Sequence, residues 1–252
     1  MPAEQAPEYG PSTAAVHAGE SRQRAHDAIT SPVIHAATYP FADSAALIEF
    51  LEGRVEREEY GRYGNPTVRA AEAKLAALEA PQGGATGLLF PSGMSAITST
   101  ILSLIPSGGH LIMTDDSYRR TRQFVQTILA RLGIEHTVVP AGNHDALVKA
   151  IRPGQTRLIL SESPTNPYLR VADLSRVVAI AREHHVLTLI DATFATPFNL
   201  RPLEYGIDLV IHSCTKYLGG HNDLLAGAVI GAPELITPLR NDQGILGCIS
   251  DP

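Results

Sequence analysis

Cysteine is scarce. Cys214 and Cys248 are the only two in 252 residues, and they form neither a CxxC pair nor a disulfide framework, so a disulfide-stapled secreted domain is excluded and a reducing compartment is expected. The opening residues, MPAEQAPE, hold no basic segment followed by an apolar one, and no later apolar run approaches the roughly 20 residues of a membrane span. The expectation is a cytoplasmic protein with no membrane partner. Lysine and arginine total 20 against 26 acidic residues, a formal charge of −6, and no basic run is present, so nucleic acid is not an expected partner. Ten histidines are present, but none has a zincin spacing, and the adjacent His184 and His185 project to different sides of a helix; no metal is expected. Internal repeats and low-complexity linkers are also lacking. What remains is an ordinary globular balance, 44% hydrophobic and 18% charged, in a chain long enough for one sizeable core.

Residues 1–60 read as an arm, because proline, alanine and polar residues mix there without sustained periodicity and Ser31-Pro32 and Tyr39-Pro40 signal turns. Within it, residues 44–52 are expected to form a short helix capped by Ser44, with Leu47, Ile48 and Leu51 on one face. Residues 61–252 read as one domain. Pro66 or Thr67 opens a helix carrying Val68, Ala71, Leu75 and Leu78 on one face. Short apolar strands then alternate with helices: strands over 87–90, 110–113, 137–139, 157–160, 186–190, 208–212 and 226–230, and helices from Ser92, over 118–132, 145–151, 173–184 and 233–240. That alternation predicts an α/β fold with a mainly parallel sheet and helices on both faces.

The stretch SCTKYLGGHND, residues 213–223, sets Lys216 among hydroxyl residues just after a buried strand, and ligands of open α/β sheets sit outside the carboxyl ends of strands. A free lysine, with a pKa of about 10.4, is a poor nucleophile unless burial or a neighbouring cation lowers it. The carbonyl compound that fits such a lysine is pyridoxal 5′-phosphate (PLP). Alone, a lysine in a glycine-rich loop is a solvated charge, and other residues have to make the case. Each polar cluster in this alternation follows a strand end. Ser92-Gly93-Met94 opens a helix with free N–H groups, a phosphate cradle or an ordinary cap. Ser213 and Thr215 can add hydroxyls to the same phosphate or merely end a strand. Asp191 can pair with a pyridinium nitrogen or cap a turn. Tyr118 can stack on a ring or pack at a helix start. Asn166 can donate to a ring hydroxyl or serve as a turn asparagine.

Taken together, residues 60–67 (YGRYGNPT), 91–94 (PSGM), 162–167 (ESPTNP), 191–197 (DATFATP) and 213–223 closely resemble, in order and spacing, the Cys/Met-metabolism family of PLP-dependent enzymes. The resemblance implies the large domain of the type I, aminotransferase-like fold, with active sites shared across the interfaces of a homodimer or homotetramer. It implies that Lys216 forms the Schiff base, Asp191 pairs with the pyridine nitrogen, Tyr118 stacks on the ring, and Gly93, Met94, Ser213 and Thr215 hold the phosphate. Tyr60 and Arg62 are implied to reach the phosphate of the neighbouring subunit, with Tyr118 or Tyr60 assisting Lys216 as acid or base. Amino acids are the implied substrates. Residues 118–122 (YRRTR) and 221–227 (HNDLLAG) are most similar to the plant and cyanobacterial branch that joins cysteine to an activated homoserine ester; γ-lyase, sulfhydrylase and non-catalytic paralogue stand as alternatives. Ala192 and Cys214 replace other small residues of the family with little expected effect. The family continues past position 252 into a smaller domain carrying the arginine for the substrate α-carboxylate, so the chain is expected to be a fragment or a truncation lacking it.

Overall fold

The computed structural model describes residues 9–21 and 24–252; residues 1–8, read above for a leader, lie outside them. Its strands are β1 (Thr86–Phe90), β2 (His110–Thr114), β3 (Glu135–Val139), β4 (Thr156–Glu162), β5 (Leu187–Asp191), β6 (Leu209–His212) and β7 (Gly227–Gly231). They form a seven-stranded sheet in the order β1-β7-β6-β5-β4-β2-β3. The run from β3 to β6 is parallel throughout. β7 alone is reversed, pairing antiparallel with both β6 and β1. The mainly parallel α/β fold expected from the alternation is therefore present, and six of the strands point their carboxyl ends at one rim.

Successive strand residues face opposite sides of a sheet, and the burial follows that rule. Leu88, Leu111, Leu158, Leu160, Leu189, Leu209 and Ile211 form one layer with Ile97 and Ile101 of α4 (Gly93–Leu104) and Ile236 and Leu239 of α9 (Pro233–Leu246). On the other face Ile112 and Ile159 meet α6 (His144–Ala150) and α7 (Leu174–Glu183), while Leu89, Ala228 and Ile230 meet α3 (Pro66–Glu79). A sheet covered on both faces needs continuous apolar strands, as found here.

Local chemistry sets the helix starts. Asn65 caps α3, its Oδ1 accepting from the Thr67 and Val68 N–H groups, and Pro66 follows at the first helical position. Inside α3, buried Glu72 accepts from the Leu89 N–H at 3.0 Å and from Arg240 Nη2 at 2.7 Å, so one carboxylate ties together α3, β1 and α9.

Four details differ from the sequence expectations. A helix, α1 (Pro11–His17), lies within the arm and packs Ala14 and Ala18 against Leu78 of α3, with Lys74 Nζ donating to Val16 O at 2.8 Å. Its contact is made of alanines, which carry no apolar periodicity to read. The short helix α2 (Ser44–Leu51) is capped by Asp43, not Ser44: the Asp43 carboxylate accepts from the Ala46 N–H at 2.8 Å. The helix expected over 118–132 is α5 (Arg119–Phe124) continued by a π-turn at Val125–Leu129, with Tyr118 just outside it. Finally, α9 runs past Arg240 to Leu246, because Gln243, in a polar stretch, is held by Leu89 O and Cys248 O.

Candidate active site

Lys216 follows β6 in a loop closed by its own backbone: the Lys216 N–H donates to Ser213 O at 3.0 Å, Gly219 N–H to Cys214 O at 2.7 Å and Gly220 N–H to Lys216 O at 2.9 Å. Gly220 has φ +78°, a left-handed conformation that costs glycine little. Thr215 pins this loop to the start of β7, its hydroxyl donating to Ala226 O and accepting from the Ala226 N–H at 3.1 Å. A donation from Thr215 to a bound anion therefore requires that the hydroxyl exchange that partner. The side chain of Lys216 is exposed. The chain has three lysines; Lys74 is engaged with Val16 O and Lys149 sits in the last turn of α6, so Lys216 is the one on the rim.

Across the loop stands the N-terminus of α4. Ser92 caps it, accepting from the Ser95 N–H at 3.1 Å, while Gly93 and Met94 occupy the first turn, where N–H groups have no helical acceptor. A Cβ on Gly93 would lie 2.7 Å from Ser213 Cβ and one on Gly227 only 2.2 Å from Ser92 O. Glycine at these two positions lets the helix start press directly against Ser213 and β7. The result is a cluster of donors at the positive end of a helix dipole, which suits a phosphate.

Asp191 ends β5. Its Oδ1 accepts from the Thr193 N–H at 3.0 Å and from the Thr193 hydroxyl at 2.6 Å, both bonds falling on the same oxygen and leaving Oδ2 open. Thr193 Oγ in turn accepts from the Ser213 N–H at 2.8 Å. Burial raises the pKa of Asp191 above the usual aspartate range, opposed by the two Thr193 bonds and by nearby His212. His212 itself is fully buried against Glu79.

Directly opposite Asp191 in the sheet register is Glu162, at the end of β4. It is buried, and its Oε2 has no hydrogen-bond partner among the described residues. Burial first, then the neighbouring Asp191, push its pKa up to about 8, while the backbone N–H groups of Tyr118 and Asn166 face its carboxyl and favour the charged form. Asp116, after β2, is buried as well, with neither carboxylate oxygen hydrogen-bonded and Arg170 Nη1 at 4.0 Å. Such buried atoms require a partner that the described side chains do not supply, a water or a bound group. Tyr118 holds its ring at this rim, 37% exposed. Nearby, Arg122 Nη1 donates to Asp115 O at 2.7 Å and Arg120 to Gln123 at 2.7 Å.

Tyr60 and Arg62 are engaged elsewhere within the chain. Arg62 Nη1 donates to Gly244 O of α9 at 3.1 Å and Nη2 to the Tyr63 hydroxyl at 3.2 Å, its guanidinium lying over both the Tyr60 and Tyr63 rings. Neither residue bonds to Ser213, Thr215 or the first turn of α4 among the described residues. Gly93, Met94, Asn166, Asp191, Ser213, Thr215, Lys216 and Tyr118 all follow carboxyl ends of the strands pointing at one rim, where their motifs predict them. Thr193, Glu162 and Asp116 were not singled out from sequence. For Glu162 and Asp116 a signal existed: an acidic residue just after an apolar run is a carboxylate delivered to the rim. Cys214 is buried behind the loop, its thiol pushed up to about 12, and is a packing residue. No group of residues that could hold a metal ion occurs among the described residues, and no helix among them is long and apolar enough to cross a membrane.

Fold and rim together define an α/β domain that sets a helix N-terminus suited to a phosphate and one exposed lysine on the same rim. Comparison with known proteins agrees. A family model described as Cys/Met metabolism PLP-dependent enzyme matches residues 12–252. Cystathionine gamma-synthase 1, chloroplastic, of Nicotiana tabacum is 46% identical over 240 residues, covering 94% of this chain and 44% of that protein. Cystathionine gamma-lyase of Bacillus subtilis (strain 168) is 40% identical over 240 residues, covering 93% of this chain and 60% of that protein. A solved structure of a putative O-acetylhomoserine (thiol)-lyase from Campylobacter jejuni subsp. jejuni NCTC 11168, which carries N′-pyridoxyl-lysine-5′-monophosphate, matches with a TM-score of 0.84 at 30% identity, over 92% of this chain and 56% of that one. The chain belongs to the Cys/Met-metabolism family of PLP-dependent enzymes, and it spans about half the length of the curated relatives it matches.

The residues present fit PLP. The α4 N–H groups and Ser213 form an anion cradle that glycine keeps open, Asp191 Oδ2 is a free acceptor for a ring N–H, Tyr118 offers an exposed aromatic face, and Lys216 is an exposed amine on the same rim.

Proposed function

We propose that this chain supports a γ-replacement reaction in which cysteine, through its thiolate, displaces the activating group of an O-activated homoserine to give cystathionine. The reading is carried by the rim geometry, in which Lys216 stands on the loop after β6 while Asp191 and Ser213 are joined through Thr193. The similarity to a chloroplast cystathionine gamma-synthase supports it further, as does the arginine-rich start of α5 after Tyr118.

PLP, when bound, supplies an electron sink for carbanion chemistry on an amino-acid substrate. Asp191 Oδ2 would accept a hydrogen bond from the protonated ring nitrogen and so favour the electron-poor ring. The Gly93 and Met94 N–H groups and Ser213 hold the phosphate and fix the ring's register. Lys216 Nζ moves protons at the substrate's Cα and then Cβ. Tyr118 covers the ring, and either it or Tyr60 of a second subunit serves as acid or base. Because Arg62 and Tyr60 do not reach the cradle of their own chain, they fit a shared site in a homodimer or homotetramer. Cytoplasmic location is part of the same proposal.

The test follows cystathionine and 2-oxobutyrate together in one assay of the PLP-loaded protein. Faster formation of cystathionine from cysteine and an O-activated homoserine than of 2-oxobutyrate from cystathionine or methionine is expected. Predominant 2-oxobutyrate would move the reaction to a γ-lyase, the activity of the Bacillus relative.

A further inference from the structure

Thr193 makes three polar contacts that no other residue of the rim combines. Its N–H and hydroxyl both donate to Asp191 Oδ1, at 3.0 and 2.6 Å, and its hydroxyl oxygen accepts the Ser213 N–H at 2.8 Å. The side chain is buried at 8% exposure, so water cannot easily take over these bonds. The backbone around it is pinned too: the Ala192 N–H donates to Ile211 O at 3.0 Å, one residue from His212.

These contacts span the two ends of the cofactor site. Asp191 serves the ring nitrogen, and Ser213 lies against Gly93 at the phosphate cradle. One hydroxyl thus sets which carboxylate oxygen of Asp191 is left free and where the strand end carrying Ser213 sits. A single hydroxyl can do both because it has one hydrogen to give and lone pairs to receive.

We propose that Thr193 is a positioning residue that couples the ring-nitrogen partner Asp191 to the phosphate-side residue Ser213, so that the two ends of PLP are held in one register. The inference rests on the cofactor-site reading above. It acts through Asp191 and Ser213 and requires no contact between Thr193 and substrate. Removing the hydroxyl also strips a short bond from the half-buried Asp191 carboxylate, which favours its protonated form and weakens its hold on the ring nitrogen.

Two variants separate this from a packing role. Thr193→Val keeps shape and volume but removes the hydroxyl; Thr193→Ser removes the methyl and keeps the hydroxyl. Each is purified, checked for fold by far-ultraviolet circular dichroism and thermal melting, and titrated with PLP. The readouts are affinity and the visible circular dichroism of the bound cofactor, which reports ring orientation. The expected result is that Thr193→Val folds, binds PLP about 10- to 100-fold more weakly, as loss of an outer-shell partner does at other sites, and loses visible dichroism. Thr193→Ser is expected to stay within about threefold of the parent, given that it keeps every bond named. The proposal is overturned if Thr193→Val binds PLP with parental affinity and dichroism, if Thr193→Ser is as impaired as Thr193→Val, or if Thr193→Val does not fold, which would make the hydroxyl a folding element. Absence of PLP binding by the parent would instead overturn the cofactor-site reading itself.

Discussion

Glu162 and Asp191 stand opposite one another in register at the carboxyl ends of β4 and β5, so a buried and a half-buried carboxyl group on neighbouring strands face the same rim. Like charges this close resist joint ionisation. Asp191 has the Thr193 bonds to support its charge, while one oxygen of Glu162 has no partner. The pair is therefore unequal: two bonds from Thr193 favour the charged form of Asp191 against the burial that disfavours it, whereas burial and the neighbouring Asp191 push the Glu162 carboxyl up to about 8.

A pH signature in stability follows. Glu162 has a folded-state pKa of about 8 against an ordinary value of 4.5, so the folded chain binds the proton more tightly than the unfolded one. Its neutral form costs nothing below pH 4.5, and stability falls as pH rises from there through 8. Glu162→Gln, which cannot ionise, should match the parent near pH 4.5 and exceed it by on the order of 2–4 kcal/mol at pH 8.5. Urea midpoints measured at both pH values check this; parallel stability curves would contradict it.

Glu72 and Arg240 give a second expectation. Glu72 is buried and bonded both to Arg240 and to the Leu89 N–H, so Arg240→Ala leaves a buried carboxylate short of its partner. The loss should be about 2–3 kcal/mol, discounted from the fully buried case because Arg240 keeps some exposure. Arg152→Ala breaks only the exposed, solvent-screened contact with Glu135 and should shift the melt less than Arg240→Ala does. Thermal melts of the two variants side by side would contradict this ranking if they shifted equally.

The two thiols should differ sharply. Cys214 is buried with its pKa pushed up to about 12, whereas Cys248 is partly exposed. Iodoacetamide at pH 8 should label Cys248 in the folded chain and reach Cys214 only after unfolding. Mass spectrometry showing equal labelling of both would place Cys214 in an accessible loop.

Most of the site was legible in the sequence because an α/β chain announces its rim: each short apolar run ends where a polar cluster begins. Asp191, Ser213 and Lys216 are of that kind. Thr193 was not, since a threonine two residues past a strand has no distinctive pattern, and its importance lies in bonds to Asp191 and to a residue 20 positions away. The same holds for α1, whose alanine contact with α3 has no sequence period, and for the end of α9, where Gln243 is held by tertiary bonds that override a polar, glycine-containing stretch. Tyr60 and Arg62 have a motif that can be read in one chain, yet within that chain Arg62 bonds to Gly244 O and the Tyr63 hydroxyl, and the proposal of a shared site assigns the pair to a second subunit. Arg62→Ala should weaken PLP binding in an associated form of the protein while leaving its unfolding free energy within about 1 kcal/mol of the parent. Equal PLP affinity of monomer and oligomer would contradict the shared-site proposal.

Lys216 as the cofactor's attachment point is tested most directly by borohydride reduction of the PLP-loaded protein followed by peptide mapping. Three lysines compete, and two of them, Lys74 and Lys149, lie on helices α3 and α6. The expected result is a single pyridoxyl group on the peptide containing Lys216, with none on the other two. A label on Lys74 or Lys149, or no label on any of the three, would contradict it.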